Sequence, residues 1–83
     1  MELERGRVVR SLAGRDKGRF LVCMDVQAGQ VQVCDGKERP IERLKVKNAK
    51  HLSLTKTILP EESLQTNRKV KAGLHPFNYP AER

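Results

Sequence analysis

Residues 20–34 read FLVCMDVQAGQVQVC, and their pattern decides the class of fold. Apolar side chains recur here at every second position, as they do along a strand that buries one face. That face would carry Phe20, Val22, Met24 and Val26. A helix needs apolar residues at every third or fourth position, and this segment lacks that spacing. Aromatic and β-branched residues, which strands favour, also indicate an extended chain.

The pair Ala28-Gly29 in the middle of this segment predicts a tight hairpin turn. A two-residue turn at this pair fixes which residues lie opposite one another on the two strands. The predicted pairs are Val26 with Val31, Met24 with Val33, and Cys23 with Cys34. This register puts the valines and Met24 on a single face, so the apolar pattern and the turn agree.

The sequence on either side of the hairpin predicts three further strands. They are Gly6–Leu12 before the hairpin, and Glu42–Val46 and Ala49–Leu54 after it. Asp35-Gly36 marks a tight turn, and Pro40 keeps the chain before it extended. Five short strands with tight turns and few helix signals favour an all-β fold, a small barrel of about five strands.

The last thirty residues have a different composition. We expect residues 1–54 to form the barrel and residues 55–83 to form a linker, a short helix over about 67–74 and a flexible tail. Thr66 or Asn67 can cap that helix at its N-terminus. The stretch HPFNYP that follows contains two prolines and is not expected to continue it.

Charge indicates the class of partner. Seventeen Lys and Arg against ten Asp and Glu give a net charge of +7 in 83 residues, which suits a polyanion and above all nucleic acid. No apolar run is long enough to span a membrane, and the N-terminus lacks the apolar stretch of a signal peptide. We therefore expect a single cytoplasmic domain without a membrane partner.

The sequence gives no sign of a metal, another cofactor or a catalytic site. Cys23 and Cys34 are not a C-x-x-C pair, and the two histidines have no zinc-finger spacing relative to them. In a reducing compartment we expect two free thiols. Gly14-x-x-x-Gly18 is not followed by Lys-Ser/Thr, so it is not a phosphate-binding loop of the Walker type. No carboxylate pair or nucleophile motif is visible, so neither an enzyme nor a small-molecule substrate is expected.

Basic residues are concentrated in two stretches, Arg5–Arg19, which contains the glycine-marked loop Ala13–Gly18 and has Asp16 as its sole acid, and Arg43–Lys56, which has none. Glycines let the backbone approach a partner closely, and cations beside them suit phosphate groups. Solvated surface charge is the alternative, and lysines that protect an edge strand against aggregation would give the same pattern. The candidate RNA-binding residues are Arg10, Gly14, Arg15, Lys17, Gly18, Arg19, Arg43, Lys45, Lys47 and Lys50.

The run GRVVRSLAGRDKGRF, residues 6–20, resembles a KOW motif, with Gly18 at the place of its defining glycine. RPIER at 39–43 through KHL at 50–52 resembles the basic segment and closing strand of the small KOW-type large-subunit ribosomal proteins of archaea and eukaryotes and of their short bacterial relatives. The resemblance covers about residues 5–54. It implies an SH3-like barrel and RNA, usually ribosomal RNA, as the partner.

We therefore expect a ribosomal or ribosome-associated RNA-binding protein, monomeric when free, that docks on structured RNA. With one Tyr, two Phe and no Trp, it should read phosphates and shape instead of stacked bases, unless Phe77 and Tyr79 in the tail serve as stacking platforms. The alternative is a protein-interaction adaptor of the translation or transcription machinery, because KOW domains also bind proteins. Ribosomal proteins are further candidate partners.

Overall fold

The computed structural model describes residues 2–80 as one antiparallel sheet with a C-terminal helix. The five strands are β1 (Arg7–Ser11), β2 (Phe20–Gln27), β3 (Gln30–Cys34), β4 (Lys45–Asn48) and β5 (Leu52–Ile58), and the helix is α1 (Asn67–Asn78). Three short 3-10 turns lie at Ile41–Arg43, Ala49–His51 and Glu61–Leu64. The strand order is β4-β3-β2-β1-β5, so the mostly β architecture expected from the sequence is confirmed.

Strands β4 and β5 begin later than the sequence predicts. The predicted strands Glu42–Val46 and Ala49–Leu54 each start with a 3-10 turn, and β5 then continues to Ile58. The first turn closes because the amide of Arg43 donates to the carbonyl of Pro40 over 3.0 Å. The second closes because the amide of Leu52 donates to the carbonyl of Ala49, and the side chain of Asn48 caps it by accepting from the amide of Lys50.

The β2–β3 hairpin contains an irregularity that the sequence does not reveal. Its turn lies at Ala28-Gly29 as predicted, but between Cys23 and Asp25 strand β2 contains one residue more than β3. This β-bulge at Met24 shifts the register by one residue. The observed pairs are Val26 with Val31, Cys23 with Val33, and Val22 with Cys34.

The bulge divides the apolar residues between two faces, so the prediction of a single valine face is wrong. A slip of one residue turns every later side chain to the other side of a strand. The pairs Met24–Val33 and Cys23–Cys34 do not form for the same reason. One core cluster contains Val8, Val22, Met24, Cys34, Leu64, Val70 and Leu74. The other contains Val9, Leu21, Cys23, Val31, Val33 and Leu52.

The two cysteines therefore lie in different clusters, and both are free and buried. Burial raises the pKa of Cys23 to about 11 and the pKa of Cys34 to about 12, because the apolar surroundings disfavour the charged thiolate. At neutral pH both side chains are small neutral groups that fill the core.

Helix α1 begins where the sequence predicts. Thr66 is the N-cap, and its hydroxyl accepts from the amide of Lys69 over 3.2 Å. Val70 and Leu74, four residues apart, are both buried against the sheet.

The prediction that regular structure ends near residue 74 is wrong, because α1 continues through Pro76 to Asn78. Proline removes one hydrogen bond of the helix, but tertiary contacts beyond it compensate for the loss. The ring of Phe77 packs on Phe20 with centroids 5.3 Å apart. The side chain of Asn78 accepts from the amide of Phe20 over 2.9 Å and donates to its carbonyl over 3.2 Å. The rest of the predicted tail, residues 81–83, lies outside the described residues.

Candidate nucleic-acid interface

The loop between β1 and β2 is closed by its own backbone. The amide of Ser11 donates to the carbonyl of Arg19, and the amide of Gly18 donates to the carbonyl of Ser11, over 2.9 and 2.8 Å. Gly18 has a φ of +88°, a conformation that glycine adopts without strain. Of the predicted loop residues, Gly14, Arg15, Lys17 and Gly18 are all exposed. The loop thus presents its backbone and two cations to solvent.

Lys47, on β4, contacts this loop from inside the protein. Its side chain is only 8% exposed, and its Nζ donates to the carbonyl of Ala13 over 2.9 Å. The same nitrogen lies 3.7 Å from Oδ2 of Asp16, which is itself buried. The amine of Lys47, a predicted RNA contact, is thus occupied inside the protein.

Asp16, which is buried, and Arg39, which is partly exposed, complete this group, and sequence analysis did not identify either as part of the site. Nε of Arg39 lies 3.8 Å from Oδ2 of Asp16. Asp16 therefore has two cations, from Arg39 and Lys47, within ion-pairing distance in a partly dehydrated space. The signal in the sequence was that Asp16 is the sole acid in the basic stretch from Arg5 to Arg19.

Arg19 connects the same loop to the segment between β3 and β4. Its guanidinium lies 3.8 Å from Asp35 and 3.6 Å from Glu38. Asp35 is buried, and its Oδ1 accepts from the amides of Lys37 and Arg39 over 2.8 and 2.9 Å. Arg19 is thus partly neutralised and positioned before any ligand arrives.

Four predicted cations surround the loop without a carboxylate partner within 4.0 Å among residues 2–80. They are Arg10, Arg15, Lys17 and Lys50, all exposed. The guanidinium of Arg10 lies over Gly18, 3.9 Å from where a β-carbon would stand. Lys50 lies in the turn Ala49–His51, which the bond from the amide of Leu12 to the carbonyl of His51 brings beside the loop.

Arg43 and Lys45 occupy the region just before and at the start of β4. Arg43 is exposed in the turn Ile41–Arg43, and Lys45 is half-buried opposite Val33. Neither has a carboxylate within 4.0 Å in the described part of the chain.

Two arginines of the N-terminal basic stretch have structural partners instead. Arg5 forms an ion pair with Glu61 over 2.7 Å and also donates to the carbonyl of Met24. The hydrogen bond between the two side chains raises the pKa of Arg5 and lowers the pKa of Glu61. Arg7 is buried and donates to backbone carbonyls of Glu2 and Thr55. Both arginines therefore tie the N-terminal segment to the sheet.

The helix adds a basic surface that sequence analysis missed. The exposed residues of α1 include Arg68, Lys69, Lys71 and His75, and the helix contains no acid. The C-terminal end of α1 and the β1–β2 loop together form a cleft of about 180 Å³. Its lining residues are Gly18, Arg19, Phe77, Asn78 and Tyr79. The cleft was not foreseen because this end of the helix was expected to be a flexible tail.

Residues 2–80 contain no group of three His, Cys, Asp or Glu side chains that could hold a metal ion. Over the same residues, no helix combines the length and the apolar character needed to cross a membrane. Comparison of the sequence with protein-family models gives no match, and comparison with curated proteins gives none either.

Proposed function

We propose that the protein binds structured RNA, with ribosomal RNA as the first candidate, through phosphate contacts around the β1–β2 loop. The observation that carries this is a group of four exposed cations, Arg10, Arg15, Lys17 and Lys50, beside an exposed glycine loop, with no carboxylate within 4.0 Å of them among residues 2–80. Arginine, lysine and backbone N–H groups are the donors that proteins most often offer to phosphate oxygens. The buried group of Lys47 and Asp16 supports the loop, so little ordering is needed on binding.

We also propose that the sheet closes into an SH3-like barrel of the KOW type. Strands β4 and β5 are the two edges of the sheet, yet only the turn Ala49–His51 joins them. Lys47 on edge strand β4 reaches the carbonyl of Ala13, which follows β1. These two links support closure, as does the resemblance of residues 6–20 to a KOW motif.

The proposed role is binding without catalysis. Phosphate and 2′-hydroxyl contacts depend on the shape of a folded RNA more than on its sequence. Affinity should therefore fall with salt, because each neutralised phosphate releases counterions. Sequence preference from the loop cations alone should be small.

A protein-interaction adaptor is the second candidate, and a groove favours it. The groove has a volume of about 780 Å³ and lies between the N-terminal segment and the sheet. Its apolar lining includes Leu3, Met24, Val26, Ile41, Leu44 and Leu64. Val46, which is 50% exposed, adds apolar surface on edge strand β4. A protein partner would bury such surface.

Binding to a structured fragment of ribosomal RNA separates the two functions. We expect Lys17→Ala to weaken binding and Lys56→Ala, a matched exposed lysine on β5, to leave it nearly unchanged. Val26→Asp, in the groove, should not affect RNA binding either. If Lys17→Ala has no effect and Val26→Asp abolishes association with ribosomal particles, the adaptor function is supported instead.

Ribonuclease treatment of a lysate before sedimentation gives an independent answer. A protein that binds RNA should leave the particles when the RNA is cut. An adaptor should remain with its protein partner.

A further inference from the structure

The cleft between the loop and the end of α1 has a rigid floor. Phe77 packs on Phe20, and both polar atoms of the Asn78 side chain are bonded to the backbone of Phe20. Gly18 and Arg19 line the cleft from the loop, and the guanidinium of Arg19 lies 3.8 Å from Asp35 and 3.6 Å from Glu38. A space of about 180 Å³ is thus formed by elements that are already held in place.

Tyr79 is the exposed aromatic residue at this cleft. The chain has three aromatic residues, and Phe20 and Phe77 pack on each other, whereas Tyr79 is 55% exposed. Its ring lies on that of His75, with centroids 5.1 Å apart, and its amide donates to the carbonyl of His75 over 2.8 Å. The ring is therefore held in a defined position while much of it faces solvent.

This ring lies beside the cations of the proposed RNA-binding surface. Gly18 lines the cleft, and the guanidinium of Arg10 lies over Gly18. An aromatic ring next to cations is the arrangement by which proteins hold an unstacked base while binding its phosphates. The composition predicts that the protein lacks aromatic platforms for stacking bases, unless Phe77 and Tyr79 act as such platforms. The fold brings both of them to the loop.

On the basis of the RNA-binding function proposed above, we propose that this cleft binds an unpaired nucleobase stacked on Tyr79. Arg10 and Lys17, next to Gly18 in space and in sequence, are placed to hold the phosphates that flank the base. Stacking on an aromatic ring tolerates every base, because each base presents a π-face. The site should therefore accept any base, and its preferred RNA is a helix with a bulged or flipped nucleotide.

Two RNA hairpins test this site, one fully paired and one with a single bulged 2-aminopurine. Wild-type protein should quench the fluorescence of the bulged base and prefer the bulged hairpin. Stacking of one base changes affinity by about five- to 150-fold. Tyr79→Leu should lose affinity for the bulged hairpin within that range, stop quenching, and bind the paired hairpin as before. Tyr79→Phe, which keeps the ring, should behave as wild type.

The outcomes distinguish this site from the RNA-binding function itself. If wild type binds both hairpins equally without quenching, the base site is wrong and the RNA-binding function stands. A loss of affinity for both hairpins alike in Tyr79→Leu also overturns the base site. If wild type binds neither hairpin, both proposals are wrong.

Discussion

Nζ of Lys47 donates a 2.9 Å hydrogen bond to the carbonyl of Ala13, a residue 34 positions earlier in the chain. The bond joins the edge strand β4 to the loop after β1. It also brings the amine to 3.7 Å from the buried carboxylate of Asp16. One lysine thus supports the loop that presents the exposed cations.

Replacing Lys47 should reduce stability far more than replacing an exposed lysine. Lys47→Met leaves the buried carboxylate of Asp16 with Arg39 as its one nearby cation in the described structure. We expect a loss of about 1–3 kcal/mol in the free energy of unfolding, measured in urea. Lys17→Met, on the exposed part of the same loop, should change it by less than about 0.5 kcal/mol. Equal losses in the two variants would mean that the Lys47 contacts contribute nothing.

Replacing Gly36 should destabilise the protein more than replacing Gly18, although both residues have a positive φ, of 80° and 88°. A β-carbon at Gly36 would overlap the backbone carbonyl of Asn67 at the start of α1. At Gly18 the nearest atom is the flexible end of Arg10, 3.9 Å away. We expect Gly18→Ala to cost about 1 kcal/mol from backbone strain. Gly36→Ala should cost more, because the helix must move. Thermal unfolding measures both, and equal midpoints would contradict the close helix contact.

Replacing Ala28 with a residue that tolerates a positive φ should stabilise the protein. It has a φ of 48° in the two-residue turn of the hairpin, a conformation that costs most L-residues about 1 kcal/mol. Asn-Gly is the preferred pair in such turns. We expect Ala28→Asn to raise the midpoint of thermal unfolding. Gln27→Asn, at the last residue of β2, is the control and should not raise it. A lower midpoint for Ala28→Asn would mean that the turn is not of this type.

Stability should fall with pH above about 9, because the folded state holds the protons of Cys23 and Cys34 more tightly than the unfolded state. Their pKa values rise from an ordinary 9.0 to about 11 and about 12. The stabilisation is complete below the unfolded pKa and is lost as the pH rises towards the folded values. Each thiol contributes a slope of up to about 1.4 kcal/mol per pH unit.

Urea unfolding at pH 8 and pH 10 under reducing conditions measures this slope. Cys34→Ala should be less stable at both pH values but should lose less stability between them than wild type. Other groups titrate in this range, and the comparison of the two proteins removes their contribution. Identical differences for wild type and Cys34→Ala would show that the thiol is not shielded from water.

The hairpin and the start of the helix were predictable because local patterns determine them. Ala28-Gly29 fixed the turn and the pair Val26–Val31, and Thr66 fixed the helix start. The bulge at Met24 was not predictable from local sequence, because Met24 belongs to a core cluster with Leu64, Val70 and Leu74, which lie far along the chain.

The sequence predicted which basic residues lie at the site, but not which of them are exposed and which support the loop from inside the protein. Lys17 and Lys47 look alike in the sequence, and one is exposed while the other is buried under the loop. The continuation of α1 past Pro76 depends on Phe20, more than fifty residues earlier. Composition names Tyr79 as a candidate stacking platform, but no local pattern in the sequence places it in a cleft with Gly18 and Arg19.

The salt dependence of RNA binding tests the central claim most directly. The measurement is a titration of a structured ribosomal RNA fragment with wild type and with Arg10→Ala/Arg15→Ala/Lys17→Ala over a range of salt concentrations. With four to six phosphate contacts, log K against log salt should have a slope of about −3 to −5 for wild type. The triple variant should bind more weakly, with a slope shallower by about two to three. The same slope and affinity for both proteins would contradict the claim that the loop cations bind phosphates.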